Sequence, residues 1–318
     1  MGQSGKIMIS FTGNGGNGRI ALDDLVIPSL YASDPTKNCT LDTTVKPEGD
    51  ITSSLMGTSG YSTLMFEDLW PGLGDYDFND LVLGIKGEKI TTSKGVLKEI
   101  QLTILPRAAG AAFDNSFGIA FPHIPVGAVD QVTGTVKGNS EIFNYLANGA
   151  EANQTNLTVI VLENVRTVIP SINNPLLIGG TTSPEVAPIR ISIKIKESAN
   201  IQGSLIQAES MNPFLIANQE RGREIHLPGK SATDLVNPSL FGTAADNSMN
   251  GTVNYTAKDT NLPWAILVPD EVPFMQEQTP ITEGFLKMSE WAKSKGNNFT
   301  DWFMDKPSYR EKSKFFTK

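Results

Sequence analysis

The densest chemistry in the sequence lies in one stretch. Phe66-Glu67-Asp68-Leu69-Trp70-Pro71-Gly72-Leu73-Gly74-Asp75-Tyr76-Asp77-Phe78-Asn79-Asp80 carries five carboxylates and no basic residue. Two carboxylates about 4 Å apart repel by roughly 4 kcal/mol at an effective dielectric near 20. Such a group must be protonated, spread into water or neutralised by a cation. Ca²⁺ suits it, because it accepts about six to eight hard oxygen ligands in flexible geometry. Mg²⁺ demands a tighter octahedron, and Zn²⁺ wants histidine or cysteine, neither of which is near. The candidate ligands, direct or supporting, are Glu67, Asp68, Asp75, Asp77, Asn79 and Asp80, with no ranking among them. The competing reading is a tight turn whose Asp and Asn side chains bond to the backbone. Both stay open at this point.

The spacing adds detail. An extended chain from Asp75 onward points Asp75, Asp77 and Asn79 one way and Tyr76 and Phe78 the other. Oxygens then converge while two aromatics anchor the loop. The run opens like an EF-hand, with Asp75, Asp77 and Asn79 in the first, third and fifth places. It then departs, with Asp80 where the turn glycine belongs and Lys86 in the twelfth place.

Other constellations are thin. His123 and His226 are the two histidines, far apart in sequence, and no HExxH, Cys/His cluster or Gly-x-Ser-x-Gly elbow occurs. Arg221-Gly222-Arg223-Glu224-Ile225-His226-Leu227-Pro228-Gly229 is an unusual charged stretch, read as a structural ion pair ahead of a ligand site. Cys39 stands alone, so no intrachain disulfide forms and the redox compartment is not reported. Glycoside hydrolysis needs two carboxylates at a set separation, and it is the enzyme alternative.

The elements that must position the acidic stretch read as strands. Segments 6–11, 19–27, 81–85, 97–105, 117–121, 155–162 and 189–196 are short, mostly rich in β-branched or alternating apolar residues, and mostly bounded by Gly, Pro or Asn. In 189–196 four isoleucines alternate with polar residues, which predicts a half-buried antiparallel strand. Gly13 to Gly18 reads as a hairpin loop, and residues 33–58 as a polar connector. Residues 280–295 break the pattern and predict a helix: Thr279 can cap it, Pro280 opens it and Gly296 ends it. The expected fold is all-β, one or two packed, jelly-roll-like β-sandwiches with a C-terminal helix. Residues 1–57 would hold N-terminal strands and the connector, and 58–318 the main sandwich region, with room for two sub-domains.

Composition bounds the function. The chain has 318 residues, 39% of them hydrophobic, enough for a sizeable core. A net charge of −8 argues against nucleic acid and favours cation binding. No run is apolar and long enough to cross a membrane. No signal peptide opens the chain, and Met1-Gly2-Gln3-Ser4-Gly5 reads as an artificial start, so it carries no expectation about export.

The motif Phe66-Glu67-Asp68-Leu69-Trp70-Pro71 followed by Gly74-Asp75-Tyr76-Asp77-Phe78-Asn79-Asp80-Leu81-Val82 resembles the LruC-domain family of Gram-negative bacteria. The likeness continues at Asn115-Ser116-Phe117-Gly118, Asn212-Pro213-Phe214, Arg221 to Gly229, Thr233-Asp234-Leu235 and Leu240-Phe241-Gly242-Thr243. It ends at Asn261-Leu262-Pro263-Trp264-Ala265-Ile266 and Thr300-Asp301-Trp302-Phe303, covering roughly 61–318. The resemblance implies an exported protein of the outer membrane or cell surface, a lipoprotein in its full-length form, with an adhesin-like role. The resulting expectation is a non-enzymatic extracellular binding or adhesion module braced by calcium. Its partner would be a glycan or a host or cell-surface protein, with no nucleic acid. A carbohydrate hydrolase and a purely structural spacer are the rivals.

Overall fold

The computed structural model describes residues 49–318, apart from 111, 139–140, 170–176, 179–185, 250–251, 253 and 317–318. The segments 6–11 and 19–27, the Gly13 to Gly18 loop and Cys39 lie outside the described residues.

Among the described residues twelve strands follow in order: β1 (Ile51–Met56), β2 (Ser62–Phe66), β3 (Leu81–Thr91), β4 (Leu97–Ala109), β5 (Ser116–Pro125), β6 (Val129–Thr133), β7 (Asn156–Leu162), β8 (Leu177–Ile178), β9 (Ile189–Ile195), β10 (Asn212–Ile216), β11 (Glu224–His226) and β12 (Ala265–Val268). They form two antiparallel sheets. The larger runs β12-β2-β3-β4-β9-β6, with β1 also on β3 and β8 on β4. The smaller runs β11-β10-β5-β7. The expected all-β sandwich is therefore the architecture found.

The alternation in β9 works as anticipated. Ile189, Ile191, Ile193 and Ile195 are buried, and Arg190 and Lys194 are exposed. β3 is longer than its apolar start suggests, because it serves two neighbours along one edge: Leu81 to Ile85 pair with β2, and Gly87 to Thr91 with β1. β1 is itself a correction, since residues 51–56 were assigned to the polar connector. Its Thr and Ser residues carry no hydrophobic signal, and the partner strand recruits them through backbone bonds. Between the sheets, Phe66 of β2 meets Phe117 of β5 edge-on with ring centroids 6.2 Å apart. Such a pair contributes about 0.5–1.5 kcal/mol beyond its buried area.

The C-terminal helix is present but broken. α1 (Ile281–Gly284) and α2 (Met288–Lys293) flank a kink at Phe285 (φ −101, ψ 89). Gly284 packs against Met275 and Phe315, where a Cβ would come within 2.8 Å of both side chains. Phe285 is fully buried, with its ring edge-on to Trp302 (5.2 Å) and Phe315 (4.8 Å). Tertiary packing of one aromatic overrides a helix-compatible local sequence. Among the described residues no helix is long and apolar enough to cross a membrane.

Candidate metal centre

The acidic stretch joins β2 to β3, the two paired strands at whose ends Phe66 and Leu81 lie opposite each other. It therefore begins and ends at one point on the sheet, and its side chains fold back toward that point. Groups from other parts of the chain hold it in place, among them Arg223, Trp264 and Gly110. Arg223 donates from Nε to the Trp70 carbonyl (2.7 Å) and from Nη2 to that of Leu69 (3.2 Å). The Trp264 indole donates to the Gly72 carbonyl at 2.7 Å. Gly110 donates its amide to the Asn79 carbonyl at 2.9 Å. Arg223, Trp264 and Asn115 (below) all lie in the separate motifs that carry the family resemblance, so those motifs converge in space on this loop.

The run from Asp75 is not extended, contrary to expectation. Tyr76 (φ 59) and Phe78 (φ 58) are both left-handed. Each such non-glycine residue costs on the order of 1–3 kcal/mol. The partition of side chains nevertheless holds. Phe78 is fully buried beside Tyr76, with centroids 6.0 Å apart, and Tyr76 lies 6.1 Å from Trp264. Asp77 and Asn79 are also buried, facing the other way among polar groups.

Glu67, Asp75 and Asp77 come together, each offering a carboxylate oxygen within 4.8 Å of the others. Asp75 is exposed and the other two are buried. Glu67 Oε1 accepts from the Phe78 amide at 2.6 Å. Asp77 accepts from the Asn79 amide (3.0 Å), the Asn79 side chain (2.9 Å) and the Gln278 amide (2.8 Å). Gly74 (φ +69) closes over the group, and a Cβ there would lie 2.5 Å from Glu67 Oε2. Asp68 and Asp80 sit beside this trio rather than in it. Asp80 accepts from the Asp68 amide at 2.8 Å, and Asp68 from the Asn115 side chain at 2.8 Å. Asn115 in turn accepts from the Asn218 amide at 3.1 Å.

The electrostatics show how strained this concentration of charge is. Burial pushes Glu67 well above the usual carboxylate range, and Asp80, Asp77 and Asp75 add to it. Burial and the Asp68 charge do the same to Asp80. Burial raises Asp68 too, against the pull of Asn115 and Arg223. Asp77 is pushed up to about 7, first by burial and then by Asp75, against its two backbone hydrogen bonds.

One acid escaped sequence reasoning. Glu277 arrives from the segment after β12, about 200 residues from Asp77 (277 − 77). Burial and the Asp75 charge raise its carboxyl. Glu277 Oε2 and Asn79 Oδ1 are both buried without a hydrogen-bond partner. Buried oxygens without a partner are rare; Asn79 turns its Oδ1 toward Gly110 while its Nδ2 donates to Asp77. The oxygens that come together are those of Glu67, Asp75 and Asp77, and carboxylate oxygens are the donors a hard cation takes. No local sequence signal marks Glu277, since it stands alone among polar residues.

The charged stretch around His226 resolves as structure. His226 is fully buried, with Nδ1 2.8 Å from Asn212 Oδ1 and Nε2 2.9 Å from Glu224 Oε2. Asn212 Nδ2 donates to the Ser231 carbonyl at 2.7 Å, which fixes its oxygen toward the imidazole. Both ring nitrogens thus face side-chain oxygens. Burial, the larger influence, holds His226 below the ordinary imidazole range although Glu224 pulls it up. Burial alone would raise Glu224, but His226 and Arg221 take it down to about 2. Arg221 also holds buried Glu151 through Nε (2.5 Å) and Nη2 (2.6 Å). Arg221, Glu151, Glu224 and His226 close one hydrogen-bonded network at the smaller sheet.

The fold has a solved counterpart. The crystal structure of a candidate lipoprotein from Bacteroides ovatus superposes with a TM-score of 0.59 over 84% of this chain and 76% of that one, at 18% identity. At that identity the likeness is one of fold. No curated protein matches the sequence. The model of a family described as "Domain of unknown function (DUF4842)" matches residues 95–303, and the chain belongs to that family. The acidic loop lies upstream of the matched residues, yet it is built into the same sheet.

Proposed function

We propose that this chain is a non-enzymatic binding module of a bacterial cell surface, exported as a lipoprotein, in which Ca²⁺ braces the loop between β2 and β3. The observation that carries the reading is the meeting of buried Glu67 and Asp77 with exposed Asp75, their carboxylate oxygens within 4.8 Å of one another. The carboxylates of Glu67 and Asp77 face backbone amides of their own loop and of Gln278. That arrangement suits holding a loop and an ion more than presenting an acid and a base to a sugar. The Bacteroides ovatus counterpart supports the lipoprotein assignment. The likeness to LruC-domain proteins supports the surface role, which is adhesion to a glycan or a cell-surface protein.

Calorimetric titration of chelator-stripped protein with CaCl₂ tests the ion. One Ca²⁺ per chain is expected, with affinity lowered at least tenfold by Asp77→Asn. Melting curves that coincide in EDTA and in millimolar calcium would overturn it.

A further inference from the structure

The larger sheet ends at β12, and β12 pairs on one side with β2 alone. The Glu67 amide donates to the Trp264 carbonyl at 2.9 Å, which sets the phase of the ladder. In antiparallel pairing the backbone groups of successive residues alternate between facing the partner and facing away. With Ala265 opposite Phe66 and Leu267 opposite Leu64, the N–H and C=O of Ala265 and Leu267 point away from β2. None of these four groups has a hydrogen-bond partner among the described residues. Ala265 is fully buried, and buried peptide groups are almost always paired.

Those groups face a cavity of about 660 Å³. Its opposite walls are α2 with the residues that follow it, including Trp291 and Lys295, and the turn after β11, including Leu227 and Lys230. Four residues of strand rise roughly 13 Å, and Pro263 and Pro269 flank the unpaired edge and line the same cavity. Lys295 is exposed and has no ion pair among the described residues, and Lys230 donates to the Glu209 carbonyl rather than to a carboxylate. One acidic side chain, Glu209, lines the cavity against these two lysines. On a chain of net charge −8 this is a locally cationic groove.

We infer that this groove receives an extended peptide segment of another protein, about four residues long and carrying a carboxylate, which adds to the larger sheet as a strand beside β12. Main-chain bonds to Ala265 and Leu267 supply the pairing, as in other cases of strand addition. Trp291 and Leu227 contact its side chains, and Lys230 and Lys295 attract its acid. This identifies the partner class within the surface-binding role proposed above and rests on it.

The test selects binders to the intact chain from a random octapeptide phage library. Enriched peptides are then synthesised with a single N-methyl group at each position in turn. Strand pairing predicts enrichment in Asp or Glu, and at least tenfold weaker binding when alternate amides are methylated, with the intervening amides indifferent. Leu267→Pro removes an N–H that points away from β2, so it should keep the melting temperature within a few degrees and weaken binding at least tenfold. The methyl scan stands on its own if that variant does not fold. Lys230→Glu with Lys295→Glu should weaken the acidic peptides by a similar factor. No enriched peptide, or binding indifferent to alternate methylation, overturns the inference. A glycan-array signal lost in Trp291→Ala, without peptide binding, would overturn strand addition and leave the surface-binding role standing. Silence in both the library and the array would count against both.

Discussion

Removing calcium should reverse the pH dependence of stability, and Asp77 allows the size to be worked out. Its carboxyl moves from an ordinary 3.8 to about 7 in the folded protein, mainly through burial. Between about pH 4 and 7 the folded state then holds a proton that the unfolded chain has released. Stability therefore falls as pH rises through that window. Three pH units at about 1.4 kcal/mol each come to about 4 kcal/mol, fully lost above pH 7. Glu67 and Asp80, also raised by burial, act in the same direction. Calcium binds the ionised carboxylates, so its contribution grows as those protons leave. At a hundred times its dissociation constant it adds about 2.7 kcal/mol, or roughly 4 °C in melting temperature for a chain of 318 residues. Differential scanning fluorimetry from pH 4 to 8, in EDTA and in 2 mM CaCl₂, reads both effects. The EDTA series should slope downward with pH, the calcium series should flatten or rise, and the two should converge near pH 4. Asp77→Asn should flatten the EDTA slope by about one proton's worth. An EDTA series that rises with pH, or an Asp77→Asn slope equal to that of the parent, would refute the reasoning.

Further outcomes follow from the same contacts. Arg221→Ala strips buried Glu151 and Glu224 of the guanidinium they share, and breaking such a buried pair should cost about 3–5 kcal/mol in urea unfolding. Glu277→Gln should lower calcium affinity several-fold while leaving the stability in EDTA equal or higher, because it removes a half-buried carboxyl already raised by desolvation and by the Asp75 charge. Gly118→Ala places a methyl 2.6 Å from the Phe214 ring, and this overpacking should cost about 1–3 kcal/mol in the same unfolding assay.

The sequence by itself determined the fold class, the strand faces and the place of the acid cluster. Alternation of Ile with polar residues in 189–196 fixes which side of β9 is buried, because side chains of a strand alternate between faces. The run from Glu67 to Asp80 announces itself by charge density, which is a local property. Tertiary structure decided everything that depends on distant partners. β1 is a strand because β3 offers it backbone bonds, not because of its own residues. The helix over 280–295 breaks where Phe285 enters the core. Tyr76 and Phe78 take left-handed backbone where the sequence predicts extended chain, and on that path both rings are buried and the Phe78 amide reaches Glu67. Folding also sorted the acids. Glu67, Asp75 and Asp77 converge, Asp68 turns to Asn115 and Asp80 to the Asp68 amide, and the Asp75 charge reaches Glu277 from the far end of the chain. Charge can be counted along a sequence, but its cost is set by burial and separation, and both come into being only when the sheets close over the loop.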